Sequence, residues 1–93
     1  MIEIIWAHEA KIQYFKVIGF LFDQWGELVA LDFEEKIKKM EVLISTGTIK
    51  FPYSKILGYE KCVIDEYNSL IFNRKNNKIR IIALIDNRSD HQY

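Results

Sequence analysis

The chain has 93 residues, 49% hydrophobic and 14% aromatic, and its 13 basic and 13 acidic side chains cancel to a formal charge of zero. That is enough chain and apolar material for one self-sufficient domain over residues 1–93, and too little net charge for a protein that grips nucleic acid by a large unaided electrostatic term. The single cysteine, Cys62, permits no internal disulfide, no apolar run reaches the roughly 20 residues that span a bilayer, and Met1-Ile2-Glu3 does not open a signal peptide, so the expected setting is the cytoplasm and no membrane.

Ile2 to Trp6 alternates isoleucine with Glu3 and predicts a short, half-buried first strand. From Glu9 to Trp25 the period changes. Tyr14, Ile18, Leu21, Phe22 and Trp25 recur on one side of a helix, with Lys11, Gln13 and Lys16 elsewhere. Gly19 inside that helix weakens it by about 1 kcal/mol against alanine, which suggests a close packing contact there. Gly26 breaks the run, and a second helix is predicted from Glu27 to about Ile44. Its stripe is Phe33, Ile37, Met40 and Ile44, and its solvent side carries the i,i+4 pairs Glu34–Lys38 and Glu35–Lys39. Gly47 is a candidate left-handed cap. The two helices should fold back on each other as an antiparallel hairpin.

Thr48 to Lys55 holds the only proline and reads as irregular. Three strands are then expected, at Ile56–Asp65, Ser69–Lys75 and Lys78–Asp86, the last two joined by an Asn76-Asn77 turn whose residues tolerate positive φ. The predicted fold is α+β, in the order β-α-α-β-β-β. A helical hairpin packs on one face of a small four-stranded, mainly antiparallel sheet. The final strand is the most apolar, so it is placed in the middle, between the N-terminal strand and Ser69–Lys75.

That final strand, extended to Arg88, poses the functional question. Simple alternation sends Ile79, Ile81, Ala83 and Ile85 to the helices and Arg80, Ile82, Leu84, Asp86 and Arg88 to the opposite face. Two helices cover one face of such a sheet, so Ile82 and Leu84 read either as ordinary surface hydrophobes or as an apolar patch rimmed by charge. On the second reading Arg80, Ile82 and Leu84, with Arg74 from the neighbouring strand, are the candidate partner-binding residues.

Other constellations are weaker. His8, His91 and Cys62 have no metal-ligand spacing, the four glycines form no phosphate loop, and nothing in the chain calls for a cofactor. Lys55, Lys61, Arg74, Lys75, Lys78 and Arg80 interleave with Tyr53, Tyr59, Tyr67 and Phe72 in the strand region. That mixture suits RNA, whose bases stack on aromatics and whose phosphates meet cations. It also suits edge strands that carry lysine to block edge pairing.

Three segments in order, IIWAHEA at Ile4–Ala10, GYEKCVI at Gly58–Ile64 and IRIIALIDNRSD at Ile79–Asp90, resemble the RelE/ParE superfamily of toxins from type II toxin–antitoxin (plasmid-stabilising) systems. The resemblance covers nearly the whole chain. It implies a small cytoplasmic bacterial toxin, held by a cognate antitoxin, that acts either on translation by ribosome-dependent cleavage of messenger RNA or on DNA gyrase. An inert module that keeps only partner binding is the alternative. In the RNA-cleaving branch a catalytic arginine precedes a Leu-x-Tyr triplet. Here the triplet is Leu70-Ile71-Phe72, and Ser69 stands in the arginine's place. The resemblance offers Lys61, Arg88 and Tyr93 as catalytic candidates, and His91 is a further proton carrier close to Tyr93. Cleavage at a 2′-hydroxyl needs an orienting base, a cation for the phosphorane and a proton donor.

Overall fold

The computed structural model describes residues 2–88. The elements run β1 (Glu3–Trp6), α1 (His8–Trp25), α2 (Glu27–Thr46), β2 (Tyr53–Ser54), β3 (Tyr59–Val63), β4 (Asn68–Lys75) and β5 (Lys78–Asp86). The sheet order is β1-β5-β4-β3-β2, with β1 parallel to β5 and every other pair antiparallel. The architecture is therefore α+β with β5 inside the sheet between β1 and β4, as the sequence predicts. A fifth strand is added at the edge, where two residues of the segment expected to be irregular pair with β3.

Both turn expectations are met by backbone geometry. Asn76 and Asn77 hold φ of 53° and 61°, the left-handed pair that a two-residue hairpin needs to follow the strand twist. Gly47 caps α2 at φ 70°, a conformation that costs a glycine little.

The α2 stripe packs as predicted. Phe33, Ile37 and Ile44 are buried and Met40 is half-buried, while Glu34–Lys38 at 3.2 Å and Asp32–Lys36 at 3.5 Å stabilise the solvent side. In α1 the inward face is Ala10, Tyr14, Val17, Ile18 and Leu21. Tyr14 joins the layers: its ring meets Trp6 of β1 edge-on at 5.4 Å and stacks on Phe33 of α2 at 6.5 Å. Phe22 and Trp25, expected in this core, are exposed instead. Gly19 has no packing neighbour, and an added Cβ there would meet nothing within 4 Å.

The larger correction concerns β5. Phe72 is opposite Ile81 but Ile71 is opposite Ala83, so Ile82 is an extra residue on β5, a β-bulge. A bulge resets the alternation. Ile79 and Ile81 face the helices as predicted, but beyond Ile82 the inward residue is Leu84, clustered with Leu70, Phe72 and Cys62. Ala83 and Ile85 turn to the opposite face, where they cluster with Ile71, Tyr59 and Ile82. That face is not the open patch expected, because Ile71, Ala83 and Ile85 are 0%, 3% and 5% exposed and Ile82 is half-buried. Leu84, at 4% exposure, lies under α1, and its N–H donates to Gln13 Oε1 at 2.9 Å.

The reset phase assigns energies to single residues. Leu84→Ala should cost about 2–5 kcal/mol in urea denaturation, as much as Ile81→Ala, because both empty the same core. Ile82→Ala should cost clearly less, and equal losses at Leu84 and Ile82 would contradict the bulge.

Candidate partner-binding groove

The C-terminal end of β5 is fastened to the β3–β4 turn by its own polar residues. Asp65 Oδ1 accepts the backbone N–H groups of Tyr67 and Asn68, which closes the turn as an Asx motif. Asn87 then clamps that turn: its backbone N–H donates to the Tyr67 carbonyl, and its side-chain amide donates to the carbonyls of Asp65 and Glu66. Its Oδ1 accepts from the Ser69 hydroxyl at 2.5 Å. Ser69 is 0% exposed and fully engaged. One residue further on, the Arg88 guanidinium donates to both Asp86 carboxylate oxygens, at 3.1 and 2.9 Å, and lies 4.9 Å over the Tyr67 ring. The hydrogen bond and charge of Asp86 raise the pKa of Arg88, so this cation stays charged.

Between this fastened corner and the flank of the helical hairpin runs a groove of about 790 Å³. Its floor is Val17, Leu21, Phe33 and Leu84, its helical wall is Phe20, Trp25 and Val29, and Lys16, Asp32, Lys36, Asp65 and Arg88 edge it. Phe20 and Trp25 are 60% and 69% exposed, an unusual amount of aromatic surface to leave in water. An apolar trough with charges of both signs along its rim matches the shape that accepts one face of an amphipathic helix.

The predicted site residues scatter around the molecule. Lys61 pairs with Ile71 on the face away from the helices and lines a shallow hollow with Tyr53 and Tyr59, whereas Arg88 borders the groove. Arg80 is exposed, next to Ile5 of β1. His91 and Tyr93 lie outside the described residues. Arg74, expected as a partner contact, is a structural staple. It is 2.8 Å from Glu60 in an ion pair, donates to the Ile44 carbonyl near the end of α2 at 2.9 Å, and sits 5.4 Å over the Phe72 ring. Among the described residues no group of three or more His, Cys, Asp or Glu side chains could hold a metal ion. Sequence reasoning missed the groove, although Phe20 and Val29, apolar positions left over from the two core stripes, signalled it.

Cys62 belongs to the core, where burial pushes its thiol up to about 11. It is protonated at neutral pH, and the thiolate is the reactive form. Native protein should therefore resist iodoacetamide at mildly alkaline pH and react once unfolded in urea. Fast native labelling would show Cys62 to be reachable and ionised.

No protein-family model matches the sequence, and no curated protein matches it. Solved structures do. The chromosomal ParDE toxin–antitoxin system of P. aeruginosa contains a chain that superposes with TM-score 0.75 at 17% identity, over 92% of this chain and 96% of that one. A copper-bound mutant toxin from Helicobacter pylori gives 0.69 at 11% identity, over 94% and 96%. The YoeB–YefM complex of Staphylococcus aureus gives 0.59 at 15% identity, over 100% and 99%. This chain shares its fold with those structures over nearly all of its length.

Proposed function

We propose that this chain is the toxin of a type II toxin–antitoxin pair, active in the bacterial cytoplasm, and that the groove between the helical hairpin and the end of β5 receives an antitoxin helix. The observation that carries the reading is the coincidence of a toxin-like fold over nearly the whole chain with an apolar groove rimmed by charge. The order of the three sequence segments supports it independently. Among the described residues no helix is long and apolar enough to cross a membrane, in keeping with that setting.

For the target, the chemistry of the site favours action by binding over cleavage of RNA. The position of the RNA-cleaving arginine holds Ser69, a buried hydroxyl bonded to Asn87. Lys61 and Arg88 lie on different sides of the molecule, and Arg88 is already engaged by Asp86. A developing phosphorane needs cations aimed at it from one side. The gyrase-directed branch of the superfamily does without this set, so gyrase is the proposed target. A chain that retains only antitoxin binding is the second reading, supported by the same missing set.

Induced expression in a bacterial host should halt growth, and co-expression with the product of the adjacent short reading frame should restore it. Supercoiling by purified gyrase should fall on addition of the protein while translation in an extract continues. Unimpaired growth with soluble, folded protein would leave only the binding module. Naked RNA should survive the purified protein, and metal-free cleavage abolished by Arg88→Ala would reverse the choice of target. Phe20→Asp, exposed at the groove wall, should fold normally and weaken antitoxin binding at least about tenfold, equivalent to 1.4 kcal/mol. Unchanged affinity would move the antitoxin elsewhere.

A further inference from the structure

The outer side of α1 carries a second apolar strip that neither the core nor the groove uses. Ile12, Phe15, Gly19 and Phe22 follow at steps of three, four and three, the spacing of a coiled-coil seam. All are exposed, with Phe15 at 66% and Phe22 at 54%. Gly19 in their midst is unexplained by the fold. Its helix is regular, it meets nothing, and an exposed glycine inside a helix only weakens it. A residue without a side chain is of use at such a place when another backbone must come close.

The pattern around Gly19 is self-complementary. Lys16 and Asp23, both exposed, flank the strip on one side, three residues before and four after the glycine. Phe15 and Phe22 form the row on the other side, four before and three after. When a second copy of α1 is laid antiparallel, glycine on glycine, a position before Gly19 in one copy comes level with the matching position after it in the other. Phe15 then meets Phe22 of the second copy, and Lys16 meets its Asp23, each pair occurring twice about the two-fold axis. A parallel two-fold would instead lay the charged row of each copy against the phenylalanine row of the other. Few other partners would match both an apolar row and a charge row that read the same after a two-fold rotation.

We propose that α1 is a homodimer seam, its occupant a second copy of this chain running antiparallel with the two Gly19 residues in contact. The seam centres on the flank of α1 away from Val17 and Leu21, which form the groove floor, and meets the groove edge at Lys16. The contact is short, under two heptads, so the dimer is reversible and forms as concentration rises.

Sedimentation equilibrium of the full chain across a wide concentration range tests this. The wild type should move from monomer to dimer. Gly19→Gln separates the seam from ordinary stability, because glutamine is a better helix former and its side chain has open space in the monomer. That variant should melt at a higher temperature when dilute, yet associate at least about tenfold more weakly. Lys16→Asp should weaken association as well, and the double swap Lys16→Asp with Asp23→Lys should restore it, since charge alternation is regained. A wild type that stays monomeric at every concentration overturns the proposal. So does a dimer indifferent to Gly19→Gln, or one that Lys16→Asp leaves intact.

Discussion

The unpaired Ile82 decides which side chains of β5 meet the helices. With Ile71 opposite Ala83 and Phe72 opposite Ile81, β5 turns by one residue partway along, and Leu84 swings beneath α1. This happens where β1 has ended, since the last residue of β1, Trp6, pairs with Ile81 and the Ala7 N–H donates to the Ile81 carbonyl. Beyond that point α1 takes over: Gln13 accepts the Leu84 N–H, a donor that no strand reaches from that side. The groove floor at Leu84 and the second apolar cluster at Ile71, Ala83 and Ile85 are two results of one inserted residue. A strand without the bulge would place Leu84 in that second cluster and leave the groove a different floor.

The corner that follows has its polar groups committed to holding the chain in place. Asn87 satisfies three carbonyls of the β3–β4 turn and accepts from Ser69, so the end of β5 and the start of β4 move as one piece. Asp86 and Arg88 complete it at the surface. An exposed ion pair of this kind adds little to stability, so its effect is on shape and charge. It sets a fixed, charged lip on the groove. A side chain held to its neighbour in this way is better placed to recognise a partner than to turn towards a phosphate during a reaction.

Much of the fold could be read from the residues because the relevant signals are local. The stripe Phe33, Ile37, Ile44 has a helical period, Asn76-Asn77 tolerates the φ that its turn requires, and the densest apolar run belongs inside the sheet and not at its edge. What could not be read depends on partners distant in sequence. From Ile81 to Ile85 every residue is apolar, so either phase of alternation satisfies the pattern and only the pairing with β4 selects one. Arg74 looked like a surface cation because its three neighbours, Glu60, Phe72 and the Ile44 carbonyl, lie on three different elements. The strand Tyr53–Ser54 is two residues long and has no periodicity to detect; it exists because β3 offers it an edge. For the site, Arg88 and Asp86 were visible as a motif, but the groove they border was not.

The difficulty of reading α1 has a physical cause that bears on function. Apolar residues surround most of its circumference: Ala10, Tyr14, Val17, Ile18 and Leu21 towards the core, Phe20 and Trp25 towards the groove, Phe15 and Phe22 outwards. A helix that is apolar nearly all round belongs inside something, and one sheet and one neighbouring helix cover only part of this one. The isolated domain accepts that exposure, and its zero net charge supplies little self-repulsion to keep copies apart. Any partner that covers these faces in the folded chain alone stabilises it by an amount set by its concentration relative to its dissociation constant. A small protein with this surface is most stable in company, and the helix that builds its core also determines what that company is.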